Sequence, residues 1–266
     1  MEIEPSAYPA SIEIDAGQIH LWCLEYGSPP ADALIARYRT MLNSDERHQA
    51  ERFYFARDRL RYLQTRVLVR TVLSRYTGIE PASLSFKTND FGKPRLADSL
   101  PRILPVEFNV SHTHSLIVLA VIRGEAIGVD TENVLRDAPL NIAGHFFSAP
   151  EAAELQDLAV DRQAARFFEY WTLKEAYIKA RGMGLSIPLD RFSFKITGAR
   201  IALHVDPSLN DDASLWQFWQ FRLREHYLIS LCAKRMATGT PAVIVRECVP
   251  LVSDTLAAYQ LIRGSV

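Results

Sequence analysis

The chain has 266 residues, 48% hydrophobic and 23% charged, with 30 Lys and Arg against 31 Asp and Glu. A formal net charge of −1 supplies no global pull toward nucleic acid or an anionic membrane, and the longest apolar run, Leu116 to Ile122, is far too short to span a bilayer. Three widely spaced cysteines (Cys23, Cys232, Cys248) show no disulfide or metal pattern and Met1 to Ala10 no signal pattern, so a cytoplasmic protein of two subdomains is expected.

Ile19 to Leu24 reads as a strand and, after the Gly27-Ser28-Pro29-Pro30 break, Asp32 to Leu42 as a helix. Asn43 and Glu46 have capping-box spacing and open a helix toward Arg57. Apolar residues at 60, 63, 67, 68 and 72 predict a helix over Leu60 to Tyr76, stopped by Gly78. Eight arginines lie between Arg47 and Arg75, by default a solvated helix surface. Ala82 to Lys87 reads as a short strand before the turn Asn89 to Pro94. Phe108 to Val110 and Leu116 to Ile122 read as strands around Ser111-His112-Thr113-His114, and Ala126 to Glu132 as another. Ser148-Ala149-Pro150-Glu151 is a second capping box, followed by a helix over Phe167 to Arg181 that Gly182 and Gly184 end. A strand over Phe192 to Ile196, a hairpin of Trp216 to Phe221 with Tyr227 to Ala233, and a closing helix over Ser253 to Ile262 complete the reading.

The order capping box, long helix, glycine, Ser-Phe-Lys strand occurs twice, offset by 105 residues from Asn43 to Ser148 and by 108 from Ser85 to Ser193. The expectation is an α+β fold, a pseudo-twofold monomer of two similar α+β halves with an extended ligand between them. The divisions expected are 1–105 for the first half, 106–240 for the half with the chemistry, and 241–266 as an extension.

Asp130 and Glu132, at i and i+2 of a strand, leave the same face and are close enough to share one cation. Glu175 and Lys179, at i and i+4, share one helix face. Either pair alone reads as solvated surface. The aromatic and aliphatic residues crowding Phe167 to Ile178 argue otherwise, because a carboxylate at the edge of packed surface is costly without a cation. Mg²⁺ takes one or two carboxylates plus phosphate oxygens, and Lys174 and Lys179 would neutralise remaining phosphate charge. His112 suits a phosphate donor, Lys93 presents charge between Gly92 and Pro94, and Arg61 is a candidate for a second phosphate. His112-x-His114 also fits a zinc pair, so a zinc-dependent metallohydrolase is the competing reading, although no third histidine stands at ligand spacing. No P-loop, Gly-x-Gly-x-x-Gly or Gly-x-Ser-x-Gly motif is present.

Four ordered segments together resemble the Sfp-type 4′-phosphopantetheinyl transferases of the holo-[acyl-carrier-protein] synthase superfamily. They are Phe91-Gly92-Lys93-Pro94, Asn109-Val110-Ser111-His112, Gly128-Val129-Asp130-Thr131-Glu132, and Trp171 to Lys179. The resemblance runs from about Ile19 to Ala233. It implies transfer of the 4′-phosphopantetheine arm of coenzyme A to a serine of an apo acyl- or peptidyl-carrier protein, with no nucleic-acid or membrane partner. By the same resemblance Asp130, Glu132 and Glu175 would ligate Mg²⁺, and Glu175 would serve as base toward the serine. Lys174 and Lys179 would steady the diphosphate, and Ser111 and His112 the 3′-phosphate side. Lys93, Pro94 and Arg61 would meet the nucleotide. In one departure, Glu46 and Gln49 stand where some relatives place lysines for the adenylate. A non-catalytic carrier-protein or coenzyme A binding module is the further alternative.

Overall fold

The computed structural model describes residues 11–27, 29–98 and 105–265. Its frame is two β-sheets sharing one apolar layer, each with a long helix on its other face. β1 (Gln18–Glu25) pairs with β5 (Leu116–Arg123), which pairs with β4 (Val106–Thr113). β11 (Ala242–Val249) joins β1 in parallel and carries β12 (Ser253–Leu256) at the edge, giving the order β12-β11-β1-β5-β4. The second sheet runs β6-β10-β9-β13-β8-β7, from β6 (Ile127–Asn133), β7 (Phe192–Thr197), β8 (Arg200–Val205), β9 (Trp216–Leu223), β10 (Tyr227–Lys234) and β13 (Gln260–Gly264). A small ribbon, β2 (Phe86–Thr88) with β3 (Pro94–Leu96), stands apart.

The period-2 geometry of strands explains the layers. Ile19, Leu21 and Cys23 of β1, and Leu116, Val118, Ala120 and Ile122 of β5, meet Ile229 and Leu231 of β10 and Phe221 of β9 in the layer between the sheets. The intervening residues, Trp22 and Leu24 of β1 and Ile117, Leu119 and Val121 of β5, pack instead with Leu68, Val72 and Leu73 of α3 (Ala56–Thr77). β5 is therefore buried on both faces and reads as an unbroken apolar run. On the far side, α6 (Val160–Arg181) packs Phe167, Tyr170, Leu173 and Tyr177 with Phe218 and Leu228 of the second sheet.

The local features expected to repeat are found in both halves. α2 (Ser44–Glu51) and α5 (Ala149–Asp157) each open with a complete capping box, from Asn43 with Glu46 and from Ser148 with Glu151. Each capping glutamate also accepts from a buried cation on the long helix: Arg70 Nε to Glu46 at 2.7 Å and Lys174 Nζ to Glu151 at 2.7 Å. Each cation then donates to two carbonyls after that helix. Arg70 reaches Pro81 (2.6 Å) and Leu84 (2.9 Å), and Lys174 reaches Leu189 (2.8 Å) and Phe192 (2.7 Å). α3 and α6 are both 22 residues long and both end on a left-handed glycine, Gly78 and Gly182.

The structure corrects several expectations. The division at 105/106 falls before β4 and β5, which hydrogen-bond into the first sheet, so the halves divide between β5 and β6. Residues 241–266 are no separate extension: β11 and β12 complete the first sheet, and β13 inserts between β9 and β8 of the second. The expected closing helix is two strands, because Ser253–Leu256 pairs with β11 and Gln260–Gly264 with β9. The helix expected from Asn43 toward Arg57 stops at Glu51, and of the strand expected over Ala82 to Lys87 only Phe86 and Lys87 are in a strand, Pro81–Ser83 being a 3₁₀ turn.

One glycine sets how the second half is assembled. A Cβ at Gly128 of β6 would overlap the Ala176 carbonyl oxygen and the Ala180 nitrogen of α6. Only glycine lets the strand lie directly on the helix, and no side-chain movement relieves a clash with backbone. Gly128→Ala should therefore destabilise the fold by about 1–3 kcal/mol, the usual range for overpacking a tight site. Thermal unfolding tests this; an unchanged midpoint would contradict the close-contact account.

Candidate active site

β4, β6 and α6 meet where the halves join. Odd-numbered residues of β4 face β6 and tie the two sheets together: Asn109 Oδ1 accepts the Val129 N–H (2.9 Å), Ser111 Oγ donates to Asp130 Oδ1 (2.8 Å), and Thr113 Oγ1 accepts the Asn133 N–H (3.1 Å). Gly128 seats β6 on α6 one residue pair before Asp130. Asp130 and Glu132 then leave β6 on one face, beside Glu175 and Lys179 one helical turn apart on α6.

Lys179 Nζ donates to Asp130 Oδ1 at 2.6 Å and to Ser111 Oγ at 2.9 Å. Glu132 accepts from Thr113 (3.1 Å) and from Arg136, which grips both its oxygens at 2.7 and 3.1 Å. Glu175, half-buried, accepts no hydrogen bond among the described residues. Burial, then the charge of Asp130 and more weakly that of Glu132, push the Glu175 carboxyl above the usual carboxylate range, against the pull of Lys179. Burial chiefly, with Asp130 adding, also raises Glu132, and Arg136 holds the rise in check. His112 is exposed; desolvation by its surroundings, then the positive charges of Arg61 and Lys179, hold its imidazole below its ordinary value. Arg61 pairs with Asp58 at 3.2 Å and influences Tyr26, whose hydroxyl donates to the Thr113 carbonyl at 2.6 Å.

The structure thus gathers Ser111, Asp130, Glu132, Glu175 and Lys179, with His112 and Arg61 at the margin. It does not bring in Lys174. The expectation that Lys174 steadies a phosphate is corrected: its side chain is 0% exposed and its ammonium is spent on Glu151, Leu189 and Phe192. The Lys93 ammonium donates to the carbonyls of Ile127 (2.9 Å) and Ala180 (3.3 Å), with the adjacent Pro94 opening β3. Ser111 and His112 do not act on one side together, since successive strand residues face opposite ways and Ser111 points to Asp130. Asn109, Thr113 and Arg136 had no assigned role from sequence. Period-2 spacing from Ser111 marks the first two, and Arg136, i+4 from Glu132 beyond the strand, carries no such signal.

Among the described residues no three His, Cys, Asp or Glu side chains are already gathered to hold a metal ion. The zinc reading of His112 and His114 gains nothing, and His114 Nδ1 instead shares a 2.9 Å hydrogen bond with Ser115. The expected Asp130–Glu132–Glu175 set is not preassembled either. Its chemistry nevertheless fits a hard dication: three carboxylates repel one another and Glu175 has no donor. The sign of the pH effect follows. A carboxyl raised in the fold favours the protonated form, so its contribution to stability falls as pH climbs from about 4.3 through the raised value. A bound dication needs the ionised form. MgCl₂ should therefore raise the unfolding temperature more near pH ~7.5 than near pH ~5. Scanning fluorimetry checks this, and equal increments at both would contradict it.

Two family models match the chain in succession. One described as "4'-phosphopantetheinyl transferase, N-terminal" covers residues 29–123, and one described as "4'-phosphopantetheinyl transferase superfamily" covers 126–232. Their junction is where the topology divides the sheets. Among curated proteins, the chain is similar to a 4′-phosphopantetheinyl transferase of Bacillus subtilis, 33% identical over 197 residues, covering 74% of this chain and 84% of that one. It is 34% identical over 179 residues to the 4′-phosphopantetheinyl transferase HetI of Nostoc sp. (strain PCC 7120), covering 67% of this chain and 74% of that one. It is also 34% identical over 160 residues to Sfp of Bacillus subtilis (strain 168), covering 60% and 69%. With two family models end to end and these relatives matched over most of their length, the chain belongs to the 4′-phosphopantetheinyl transferase family, of the Sfp type.

Proposed function

We infer that this chain is a 4′-phosphopantetheinyl transferase, moving the phosphopantetheine arm of coenzyme A onto a serine of an apo carrier protein and releasing 3′,5′-adenosine bisphosphate. The observation that supports this reading most is the Glu175 carboxyl, undonated, raised above its usual range, and set beside Lys179, Asp130 and Glu132 where the halves join. A serine hydroxyl becomes a useful nucleophile only as a placed base removes its proton. Glu175 is the carboxylate free to accept that proton, and burial with the neighbouring Asp130 charge raises its proton affinity above that of an ordinary carboxylate. The serine oxygen then forms its bond to the β-phosphorus of coenzyme A as the bond to the bridging diphosphate oxygen breaks, and the electron pair leaves on the nucleotide.

Lys179 places a positive charge beside that diphosphate, held in position by Ser111 and Asp130. His112 and Arg61 supply donors at the margin, for the 3′-phosphate side of the nucleotide. Asp130, Glu132 and Glu175 would hold Mg²⁺, which when bound supplies charge neutralisation of the diphosphate. The monomeric state and the cytoplasmic setting expected from the sequence belong to the same reading; no helix among the described residues is long and apolar enough to cross a membrane. The test is chromatographic detection of 3′,5′-adenosine bisphosphate when the chain, coenzyme A, MgCl₂ and an apo carrier protein are combined. Release that requires the carrier supports the reading, and none under any metal condition would sink it.

A further inference from the structure

The geometry points to a clasp: the Asn89–Pro94 turn of the first half fastens β6 to the C-terminus of α6, and Lys93 and Asn89 are positioning residues for Glu175. The inference deepens the transferase reading of the same site and rests on it.

The turn is internally rigid. Asn89 Oδ1 accepts the N–H groups of Phe91 (3.0 Å) and Lys93 (2.9 Å), while the Asn89 N–H donates to the Lys93 carbonyl (3.0 Å). Gly92 takes the left-handed conformation that closes it, with φ of 87°. Two side chains of the turn then bind the other half. Asn89 Nδ2 donates to the Gly182 carbonyl at 2.6 Å, and Lys93 Nζ bridges the Ile127 carbonyl of β6 and the Ala180 carbonyl of α6. Gly182 takes a left-handed φ of 67° that suits glycine, and a Cβ there would stand 3.0 Å from Lys93 Cδ and 3.1 Å from Asn89 Nδ2, so both side chains would have to give slightly.

These contacts fall at an informative place. The Ala180 carbonyl belongs to the last turn of α6, which lacks helical partners and carries the negative end of the helix dipole, so an ammonium suits it, and the Gly182 carbonyl lies just past that end. Ile127 precedes Gly128, whose missing side chain lets β6 touch α6 at Ala176 and Ala180. The clasp thus closes a short loop of contacts in which Asp130 and Glu132 lie on one arm and Glu175 and Lys179 on the other. Burial among these carbonyls lowers the proton affinity of the Lys93 ammonium, as a structural cation would show.

The test compares Lys93→Met and Asn89→Ala with the full-length wild type, each assayed well below its unfolding temperature. Asn89 is uncharged, so it separates clasping from charge on the ligand. If the turn is a clasp, both variants lose kcat by about 10- to 100-fold, the scale of a misplaced reacting group, while KM and calorimetric Kd for coenzyme A stay within about twofold. Both also show faster amide hydrogen exchange along β6 and the last turns of α6. A raised Kd for coenzyme A in Lys93→Met alone, with kcat intact, would overturn the clasp in favour of a nucleotide contact. A lower unfolding temperature with kcat unchanged in both would reduce it to scaffolding. If the wild type transfers nothing, the functional reading fails by itself, and unchanged hydrogen exchange in both variants would then overturn the clasp separately.

Discussion

Glu175→Gln should lower the rate of arm transfer by about 10²- to 10⁴-fold, the range that a placed general base supplies, and should leave the fold intact. Glutamine keeps the shape and the half-buried packing of the side chain but cannot accept the serine proton. Glu175 makes no hydrogen bond among the described residues for the substitution to break, and the amide removes a charge that Asp130 and Glu132 repel. The unfolding temperature should therefore hold or rise slightly in the absence of metal. Single-turnover assays with circular dichroism check both halves of this expectation. Near-normal turnover would remove Glu175 from the mechanism, and lost turnover with a collapsed fold would mean the side chain is structural.

Lys174→Met has the opposite profile, a large loss of stability from a residue next to the base in sequence. Lys174 is fully buried, and its loss leaves the 1% exposed Glu151 carboxylate without its cation and strands the carbonyls of Leu189 and Phe192. Ser148 and the Phe194 N–H still donate to Glu151, so the carboxylate is not wholly orphaned. Breaking a buried pair on one side costs about 3–5 kcal/mol. At roughly 2–4 °C per kcal/mol for a chain of this size, the midpoint should fall by about 6–20 °C. A shift under about 2 °C, or a variant of normal stability with weakened coenzyme A affinity, would restore the phosphate role that the structure takes from Lys174.

The two substitutions show what the sequence made legible and what it hid. Asp130 with Glu132, and Glu175 with Lys179, could each be paired because strand and helix periods are local, and i, i+2 and i, i+4 spacings fix a shared face, whereas the meeting of the two pairs was implied by the family resemblance. The direction of Lys174 was legible too, though easily missed. It stands seven residues after Phe167, four after Tyr170 and three before Tyr177, all buried, so it lies on the core stripe of α6 and not on the face of Glu175. Its partner Glu151 reads as an ordinary capping residue, because nothing local shows that the box is buried. The capping boxes and terminal glycines revealed the duplicated halves, since each is a short-range signal.

Long-range pairing was the part that could not be read. β11 meets β1 in parallel across most of the chain, and β13 inserts between β9 and β8, contacts for which no neighbouring residue gives a cue. The Ala257-Ala258 step within Ser253 to Ile262 favours a helix by propensity, and sheet pairing on both sides of it overrides that preference. The division between halves was displaced for the same reason. β4 and β5 resemble the start of a new unit until their partner, β1, is known.

The central claim is that the junction around Glu175 moves the phosphopantetheine arm to a carrier serine. Its most direct test is intact-protein and peptide mass spectrometry of an apo carrier incubated with this chain, coenzyme A and MgCl₂. The account predicts that the carrier gains the mass of one phosphopantetheine arm on a single serine, with wild type and not with Glu175→Gln. A carrier of unchanged mass with wild type, or one equally loaded by Glu175→Gln, would contradict it.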